Sequence, residues 1–291
     1  MIFMDLMYYN AGKLEHEQVP ANKLMRIIYE NPLGKATLPF LVKRKILSRL
    51  YGAYCQTKFS ARNVPKFIQQ YNVDMSGCKT EYKSYADFFS REKTINFPVD
   101  TENLFAPCEG LASIYEKITV NSVIAAKGST FSLAELFDDE NLAETYQNGT
   151  MVKIRLTPAN YHRLHFFDSG KIQQKKPING HLYSVNPIAV NKIARLYCQN
   201  KRAIIVADTA NFGTVTIVEV GATFVGSIVH LFNVADSFAR GEQASYFLPG
   251  GSLVMLFFRQ GSVTPAAEIM ANTATGFETK ISLGDYLGKR Q

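Results

Sequence analysis

The amino-acid sequence predicts an α+β fold, in which a helical N-terminal region is followed by a predominantly antiparallel β domain. Between residues 22 and 91 apolar residues recur at helical spacing, with breaks such as Pro65. After Pro98 the pattern changes to short runs of Val, Ile, Phe and Thr separated by Gly, Pro and Asn, which is typical of strands joined by turns. We therefore predict a helical, basic region over residues 1–95 and a β-rich domain over residues 96–291.

Within the second region, the apolar runs have the length and composition of buried strands. The predicted strands are residues 151–156, 204–207, 214–220, 223–229 and 253–258. Two other segments of this region, residues 133–137 and 188–197, are predicted to be helices. The hydrophobic content of 46% supplies enough apolar side chains for a sizeable core.

The net charge of +7 is concentrated in the N-terminal region. Residues 1–70 contain eleven Lys and Arg against four Asp and Glu, an excess of seven that equals the net charge of the whole chain. Around residues 38–51 the basic residues alternate with large apolar ones, which suits contact with an anionic membrane surface. A core helix with solvated Lys and Arg explains the same pattern, so both interpretations stay open. No nucleic-acid partner is predicted, because no recognised binding motif accompanies the charge.

The sequence also predicts where the protein resides. No stretch reaches the roughly 18 consecutive apolar residues of a membrane-spanning helix, and a basic leader followed by an apolar run, as in a signal peptide, is missing. The four cysteines stand far apart without a CxxC pair, which predicts reduced thiols and neither a disulfide framework nor a metal site. We expect a cytoplasmic protein that is peripheral on the membrane.

Two of the five histidines, His162 and His165, lie in one short segment after Pro158. On a strand the two side chains would face opposite sides, whereas on a turn they could converge on one cavity. Because imidazole exchanges protons near neutral pH, the pair is a candidate acid–base site.

A second candidate is the serine that follows Gly250 and Gly251 and precedes an apolar run. Two glycines allow strained backbone dihedrals, and a following strand would hold Ser252 in place. This is the geometry that a serine hydroxyl needs to attack the carbonyl of its own preceding residue. Taken alone, Gly-Gly-Ser is more often a plain turn.

These segments belong to a longer ordered series of motifs. The series comprises Pro107-Cys108-Glu109-Gly110, Ala126-Lys127-Gly128, Pro158-Ala159-Asn160-Tyr161-His162-Arg163-Leu164-His165, Ser184-Val185-Asn186-Pro187, Asn200-Lys201-Arg202, Val220-Gly221-Ala222-Thr223, Gly241-Glu242, Tyr246-Phe247 and Gly250-Gly251-Ser252. In order and spacing the series resembles the phosphatidylserine decarboxylase family over nearly the whole chain.

The resemblance implies a role for each candidate residue. Ser252 would be the nucleophile of a self-cleavage at Gly251–Ser252, with His165 as its base and Glu109 as the carboxylate that orients the imidazole. His162 would be the acid that reprotonates the decarboxylated substrate, and Ser184 would lie near the substrate.

The resemblance also implies a cofactor and partners. Self-cleavage would leave a pyruvoyl group on residue 252, which would condense with the amine of phosphatidylserine and withdraw electrons as carbon dioxide leaves. The product would be phosphatidylethanolamine. Fragment 1–251 would stay bound to fragment 252–291 through strand pairing, and whether the chain forms a homodimer is left open.

Three positions differ from the family pattern. Glu109 and Asn160 stand where the family usually has Asp, and Leu253 stands where it usually has Thr. These differences motivate an alternative, a pseudoenzyme that keeps the fold as a lipid-binding module and never cleaves. An ordinary serine hydrolase is disfavoured because Val254 occupies the last glycine position of the Gly-x-Ser-x-Gly elbow. A carrier domain is disfavoured because Ala126 precedes Lys127, where a lipoyl or biotinyl lysine usually follows Met or Asp.

Overall fold

In a computed structural model, residues 7–17, 22–31, 45–121, 123–126, 129–222 and 228–291 are described. The α-helices are α1 (Asn22–Glu30), α2 (Lys45–Gln56), α3 (Val64–Tyr71), α4 (Tyr85–Phe89), α5 (Leu133–Phe137), α6 (Glu140–Glu144), α7 (Pro187–Val190), α8 (Leu196–Gln199) and α9 (Ala267–Ala274), and a 3-10 helix spans Lys58–Asn63. Among the described helices, none has the length and apolar character needed to span a bilayer.

The described strands include two near residue 10, and strands account for most of the regular structure after residue 100. They are β1 (Met7–Asn10), β2 (Lys13–His16), β3 (Asn103–Phe105), β4 (Gly110–Glu116), β5 (Val123–Ala126), β6 (Ser129–Phe131), β7 (Thr150–Leu156), β8 (Arg163–His165), β9 (Gly170–Ile178), β10 (Arg202–Thr209), β11 (Gly213–Gly221), β12 (Ile228–His230), β13 (Ser237–Phe238), β14 (Gln243–Phe247), β15 (Ser252–Phe258), β16 (Val263–Pro265), β17 (Glu278–Ile281) and β18 (Tyr286–Arg290). The predicted α+β class is confirmed, with strands dominating.

Ten strands form one sheet in the order β13-β9-β10-β11-β15-β7-β4-β17-β1-β2. Its neighbouring strands are antiparallel except β1 and β17, which run parallel. Smaller sheets have the orders β12-β14-β8, β16-β18-β3 and β5-β6. Four of the predicted strands correspond to β7, β10, β11 and β15. Of the fifth, residues 223–227 lie outside the described residues and the remainder opens β12.

Both faces of the large sheet are covered, which explains why its central strands are continuous apolar runs. Val254, Leu256 and Phe258 of β15 belong to one core cluster. Leu253 and Phe257, which point to the other face, belong to a second cluster with residues of helices α5 to α8. By the two-residue period of a strand, Ser252 therefore faces the first cluster.

The helix predicted over residues 188–197 is wrong in its length. The structure has two short helices there, α7 and α8, separated by a turn that ends at Arg195, whose left-handed φ of 51° is incompatible with a continuous helix. The helix predicted at 133–137 is confirmed as α5.

The N-terminal region contains a feature that helical periodicity did not predict. Strands β1 and β2 form a hairpin that extends the ten-stranded sheet through β17. Just after the hairpin, the Glu17 carboxylate accepts hydrogen bonds of 3.0 and 2.7 Å from the buried Arg155 guanidinium. Polar four-residue strands carry a weak sequence signal, and here an ion pair adds to the strand pairing. The basic segment at residues 35–44 lies outside the described residues.

Arg155 also binds Glu278, with its Nη2 2.6 Å from Oε2. Glu278 belongs to the C-terminal 40 residues, whereas Glu17 and Arg155 precede the predicted cleavage position. The cluster therefore joins three distant parts of the chain inside the protein, where an uncompensated charge is costly.

We expect Arg155→Ala to lower the free energy of unfolding by about 3–5 kcal/mol, because it leaves the buried Glu17 carboxylate without its cationic partner and Glu278 with Lys153 alone. Urea denaturation in a Ser252→Ala background, chosen so that every sample is one chain, measures this loss. Arg290→Ala is the matched control, because its ion pair with Glu102 is exposed and should contribute at most about 1 kcal/mol. Equal losses in the two variants would contradict the structural role of the buried cluster.

Candidate active site

Three neighbouring strands begin or end at one edge of the large sheet. β4 starts directly after Glu109, β7 ends at Leu156 and β15 starts at Ser252. The register pairs Ser252 with Leu156, and the first residue of β4 is level with them on the other side of β7. This edge therefore gathers Glu109, the turn that follows β7 and the Gly251–Ser252 peptide bond.

The Gly251–Ser252 bond lies where a constrained turn enters a buried strand. Gly250 has a φ of 148°, a conformation that side chains with a Cβ rarely adopt. Ser252 is fully buried and is paired with Leu156 on one side and Gly221 on the other. The backbone on the carboxyl side of the bond is thus held by two strands.

The His162 imidazole contacts the serine directly. Its Nδ1 lies 3.1 Å from Ser252 Oγ, and its Nε2 lies 2.9 Å from the carbonyl oxygen of Thr157. Because a carbonyl oxygen can only accept, Nε2 must carry the proton in the neutral ring, and Nδ1 is left to accept from the serine hydroxyl. This is the tautomer that a general base requires.

The surroundings of His162 keep it uncharged. Burial, together with a smaller contribution from the positive charge of Arg91, lowers its pKa from the usual 6.5 to about 3. The Phe89 ring stacks on the imidazole with a centroid distance of 3.9 Å. At neutral pH the side chain therefore has a free lone pair directed at the serine.

His165 lies close to the same edge but has other partners. Its Nδ1 donates to the carbonyl oxygen of Gly241 at 2.8 Å, so Nε2 accepts from the Tyr161 hydroxyl at 3.0 Å. Its backbone N–H donates to Pro107 O at 2.8 Å. Burial lowers the pKa of His165.

Glu109 holds the backbone of the histidine segment. Its Oε2 accepts from the Tyr161 backbone N–H at 3.1 Å, and its Oε1 lies 3.3 Å from Lys93 Nζ, which also contacts Asp74. In this uncleaved chain Ser252, His165 and Glu109 do not form the direct hydrogen-bonded triad that the resemblance implies. Glu109 instead reaches His165 through Tyr161, and His162 occupies the position next to the serine.

The other two unusual residues have clear structural places. The Asn160 amide oxygen accepts from the backbone N–H and the hydroxyl of Thr157, at 2.7 and 2.9 Å, and so closes the turn after β7. An aspartate carboxylate would accept the same bonds, so this turn needs no charge. Leu253 is fully buried in the second core cluster, on the face of the sheet opposite Ser252.

Ser184 lies beside the Gly251–Ser252 bond but does not touch the serine. Its hydroxyl oxygen accepts from the Asn186 backbone N–H at 3.2 Å, which forms a local turn. The next residue, Val185, has a methyl carbon 3.5 Å from the point where a Gly251 Cβ would sit. The 184–186 turn therefore covers the amino side of the bond.

Sequence reasoning missed Phe89, Arg91 and Thr157 as members of this site. Arg91 and Ala159, which hydrogen bond, are 68 residues apart in the chain. Neither periodicity nor motif spacing reports such contacts. The Phe88-Phe89 pair was visible in the sequence, but nothing there indicated which ring would stack on a histidine.

A neutral imidazole directed at a buried serine hydroxyl, at an edge shared by three strands, is the arrangement found in the class of enzymes that use a serine nucleophile with a histidine base. Comparison with known proteins narrows the class. A model of the phosphatidylserine decarboxylase family matches residues 85–288. The chain is 41% identical over 284 residues to a phosphatidylserine decarboxylase proenzyme of Clostridium beijerinckii, with 95% of each chain covered.

Further relatives bear the same name. Identity is 40% over 280 residues to a proenzyme of Clostridium perfringens, covering 94% of this chain and 95% of the relative. It is 39% over 278 residues to one of Ruminiclostridium cellulolyticum, covering 94% and 93%. The chain belongs to the phosphatidylserine decarboxylase family and is a carboxy-lyase.

Proposed function

We propose that this chain cleaves itself between Gly251 and Ser252 and then decarboxylates phosphatidylserine to phosphatidylethanolamine. The observation that carries the proposal is the 3.1 Å contact between His162 Nδ1 and Ser252 Oγ, beside a peptide bond that follows two glycines. The relatives are named proenzymes of phosphatidylserine decarboxylase, which agrees with both steps.

Self-cleavage begins with attack of Ser252 Oγ on the Gly251 carbonyl carbon as His162 removes the hydroxyl proton. The peptide C–N bond breaks, the amino group of residue 252 takes up a proton, and an ester joins the two residues. Elimination across the α and β carbons of residue 252 then releases the Gly251 carboxylate. Hydrolysis of the remaining enamine by one water gives the pyruvoyl group and ammonia, so the atoms balance.

The residues around position 252 suit a cofactor made in place. Ser252 is held by Leu156 and Gly221 on both sides, so the strand would stay in position after the bond breaks. When formed, the pyruvoyl group supplies an electrophilic carbonyl conjugated to an amide, which serves as an electron sink. The protein's part is to bind the substrate, to exclude water and to move protons at this edge.

In this proposal one histidine carries out both proton transfers. The resemblance assigns removal of the Ser252 proton to His165 and return of a proton to the substrate carbon to His162. In the uncleaved chain His162 is the imidazole at the serine, so we propose it as the base for cleavage. We propose that it also delivers the proton in turnover, after its Nδ1, which faces residue 252, has taken up a proton that the substrate amine gives up. His165 and Glu109 would act through Tyr161 as positioning residues.

The two fragments would remain one molecule. Fragment 252–291 would contribute β15, paired with β11 and β7, and β17, paired with β4 and β1. Strands so placed would leave long unpaired edges and an open core if the fragment dissociated. The Arg155 ion pairs would add a buried electrostatic contact between the fragments.

We infer that the helical surface around α2 and the 3-10 helix contacts an anionic membrane. Leu50 and Phe59 are 63% and 64% exposed, and Tyr54 is also exposed. Residues 45–73 contain five Lys and Arg and no Asp or Glu. Exposed apolar side chains in a segment with an excess of basic residues are the features that bind a bilayer surface peripherally.

Purified wild-type protein should run as two fragments on a denaturing gel, residues 1–251 and 252–291, the smaller one blocked to amino-terminal sequencing. Ser252→Ala should stay one chain because the nucleophile is absent. Ser113→Ala is the matched control, a buried serine on β4 that should still cleave. An intact 32.6 kDa wild-type protein would overturn self-cleavage and leave a pseudoenzyme.

The same gel separates the two histidines. His162→Ala should abolish cleavage, whereas His165→Ala should slow it. The opposite order would return the base to His165 while leaving Ser252 as the nucleophile.

We expect Leu50→Glu/Phe59→Glu to lower the fraction of protein that sediments with phosphatidylglycerol vesicles by about tenfold, because it removes apolar area and adds repulsive charge. The control Val99→Glu/Tyr286→Glu makes the same changes at exposed sites 87% and 46% accessible on a different part of the molecule. Equal losses in the two variants would contradict a specific membrane surface.

A further inference from the structure

Arg91 is a buried cation whose hydrogen-bonding groups are mostly unused. The residue is 2% exposed, and only its Nη2 has a partner, the Ala159 carbonyl oxygen at 3.3 Å. Its Nε and Nη1 have none among the residues that the structure describes. Cζ lies 5.1 Å from the centre of the Phe88 ring. A buried guanidinium in this state is costly unless an anion completes its environment.

The other buried arginines show what a satisfied site looks like in this protein. Arg155 binds two carboxylates. Arg202 donates to the carbonyl oxygens of four residues, and Arg163 donates to two carbonyl oxygens and to the Gln243 side chain. Arg91 differs from all three, so its free N–H groups are not a general property of buried arginines here.

A second side chain with an unpaired donor, Tyr82, packs against the same Phe88 ring as Arg91 does. The Tyr82 hydroxyl is buried and lacks a partner within the described part of the chain. Its ring packs edge-on against Phe88 with a centroid distance of 5.3 Å. The Arg91 guanidinium and the Tyr82 hydroxyl thus both lie against Phe88, and neither group supplies a carboxylate that could accept a hydrogen bond from the other.

These donors are adjacent to the site already described. Ala159, which binds Arg91, lies in the turn whose Thr157 carbonyl binds His162. Helix α4, which ends just before Arg91, places Phe89 against the His162 ring. At its other end, the Tyr85 backbone N–H donates to Ser60 Oγ of the 3-10 helix at 2.9 Å. Helix α4 therefore connects the inferred membrane surface at one end with the serine site at the other, where Arg91 follows it.

We propose that Arg91, assisted by the Tyr82 hydroxyl, binds the phosphodiester of the lipid headgroup. The proposal rests on the proposed function and names the recognition element of the same site. In phosphatidylserine the phosphodiester lies between the glycerol and the serine amine, which matches a cation that follows the helix connecting the inferred membrane surface with the serine site. The planar guanidinium fork fits two phosphate oxygens.

The substrate carboxylate is the less suitable partner. An arginine paired with that carboxylate would stabilise the ground state and lose its partner as carbon dioxide forms, which opposes catalysis. The phosphodiester keeps its charge from substrate to product, so a contact with it stabilises the substrate complex and the transition state equally. Loss of such a contact raises KM and leaves kcat nearly unchanged.

Direct binding tests the proposal without any decarboxylation. The probes are dihexanoylphosphatidylmethanol, an anionic diester without an amine, and dihexanoylglycerol, its neutral counterpart, titrated calorimetrically into the purified protein. Wild type should prefer the diester by about 10- to 100-fold, the value of charge-assisted hydrogen bonds. Arg91→Gln should remove most of the preference and Arg91→Lys part of it. Arg202→Gln, a matched buried-arginine control, should keep it.

Kinetics supply the second readout. With phosphatidylserine in mixed micelles, Arg91→Gln should raise KM by about 10- to 100-fold and change kcat by less than about threefold. A lowered kcat with unchanged KM, or an unchanged diester preference, would overturn the proposal. If Arg91→Gln does not fold, wild type and Arg91→Lys are compared instead. A wild type without a preference for the diester, or an Arg91→Lys variant with an unchanged preference, overturns the proposal.

These outcomes are distinct from failure of the proposed function. A wild-type protein that binds the diester through Arg91 but releases no carbon dioxide would refute decarboxylation and leave the anion site standing. A protein that decarboxylates phosphatidylserine without any Arg91 effect on binding would refute the anion site alone.

Discussion

The chemistry at this site depends on how firmly β15 is held between β11 and β7. Both neighbours pair with Ser252 itself, so the strand is fixed up to its first residue. The preceding Gly250 is in a conformation that favours glycine, so the chain changes from a constrained turn to a buried strand at the proposed cleavage bond. Because two neighbouring strands fix Ser252, its hydroxyl stays within reach of the His162 imidazole.

Burial gives the same residues their chemical character. Removing His162 from water holds it neutral, with a pKa of about 3, and leaves its Nδ1 as the acceptor nearest the serine hydroxyl. The nearby Arg91 also disfavours a charged His162 and, in our proposal, binds the phosphodiester of the substrate. One desolvated environment thus disfavours charge on the imidazole and makes an unpaired guanidinium costly until an anion binds it.

The sequence predicted much of the fold because its signals were local. The apolar runs that became β7, β10, β11 and β15 are long and continuous, and burial on both faces requires that pattern. The hairpin β1–β2 was missed because its residues are polar and its pairing partner, β17, is about 270 positions away. The break at Arg195 was missed because a left-handed φ at an arginine leaves no composition signal.

The site was predictable in membership and less so in geometry. The motif series identified Ser252, His162, His165 and Glu109, which the structure gathers at one sheet edge. Which imidazole touches the hydroxyl depends on the turn closed by Asn160 and on the Phe89 stack, and both arise from tertiary packing. Arg91 gave no sequence signal, since an unpaired donor is recognised only when its surroundings are known.

A crystal structure of the purified protein tests the central claim most directly. We predict a backbone break between residues 251 and 252, with residue 252 still paired to Leu156 and Gly221 and with His162 facing it. Continuous density through Gly251 and Ser252, or a residue 252 displaced from between its two neighbouring strands, would contradict it.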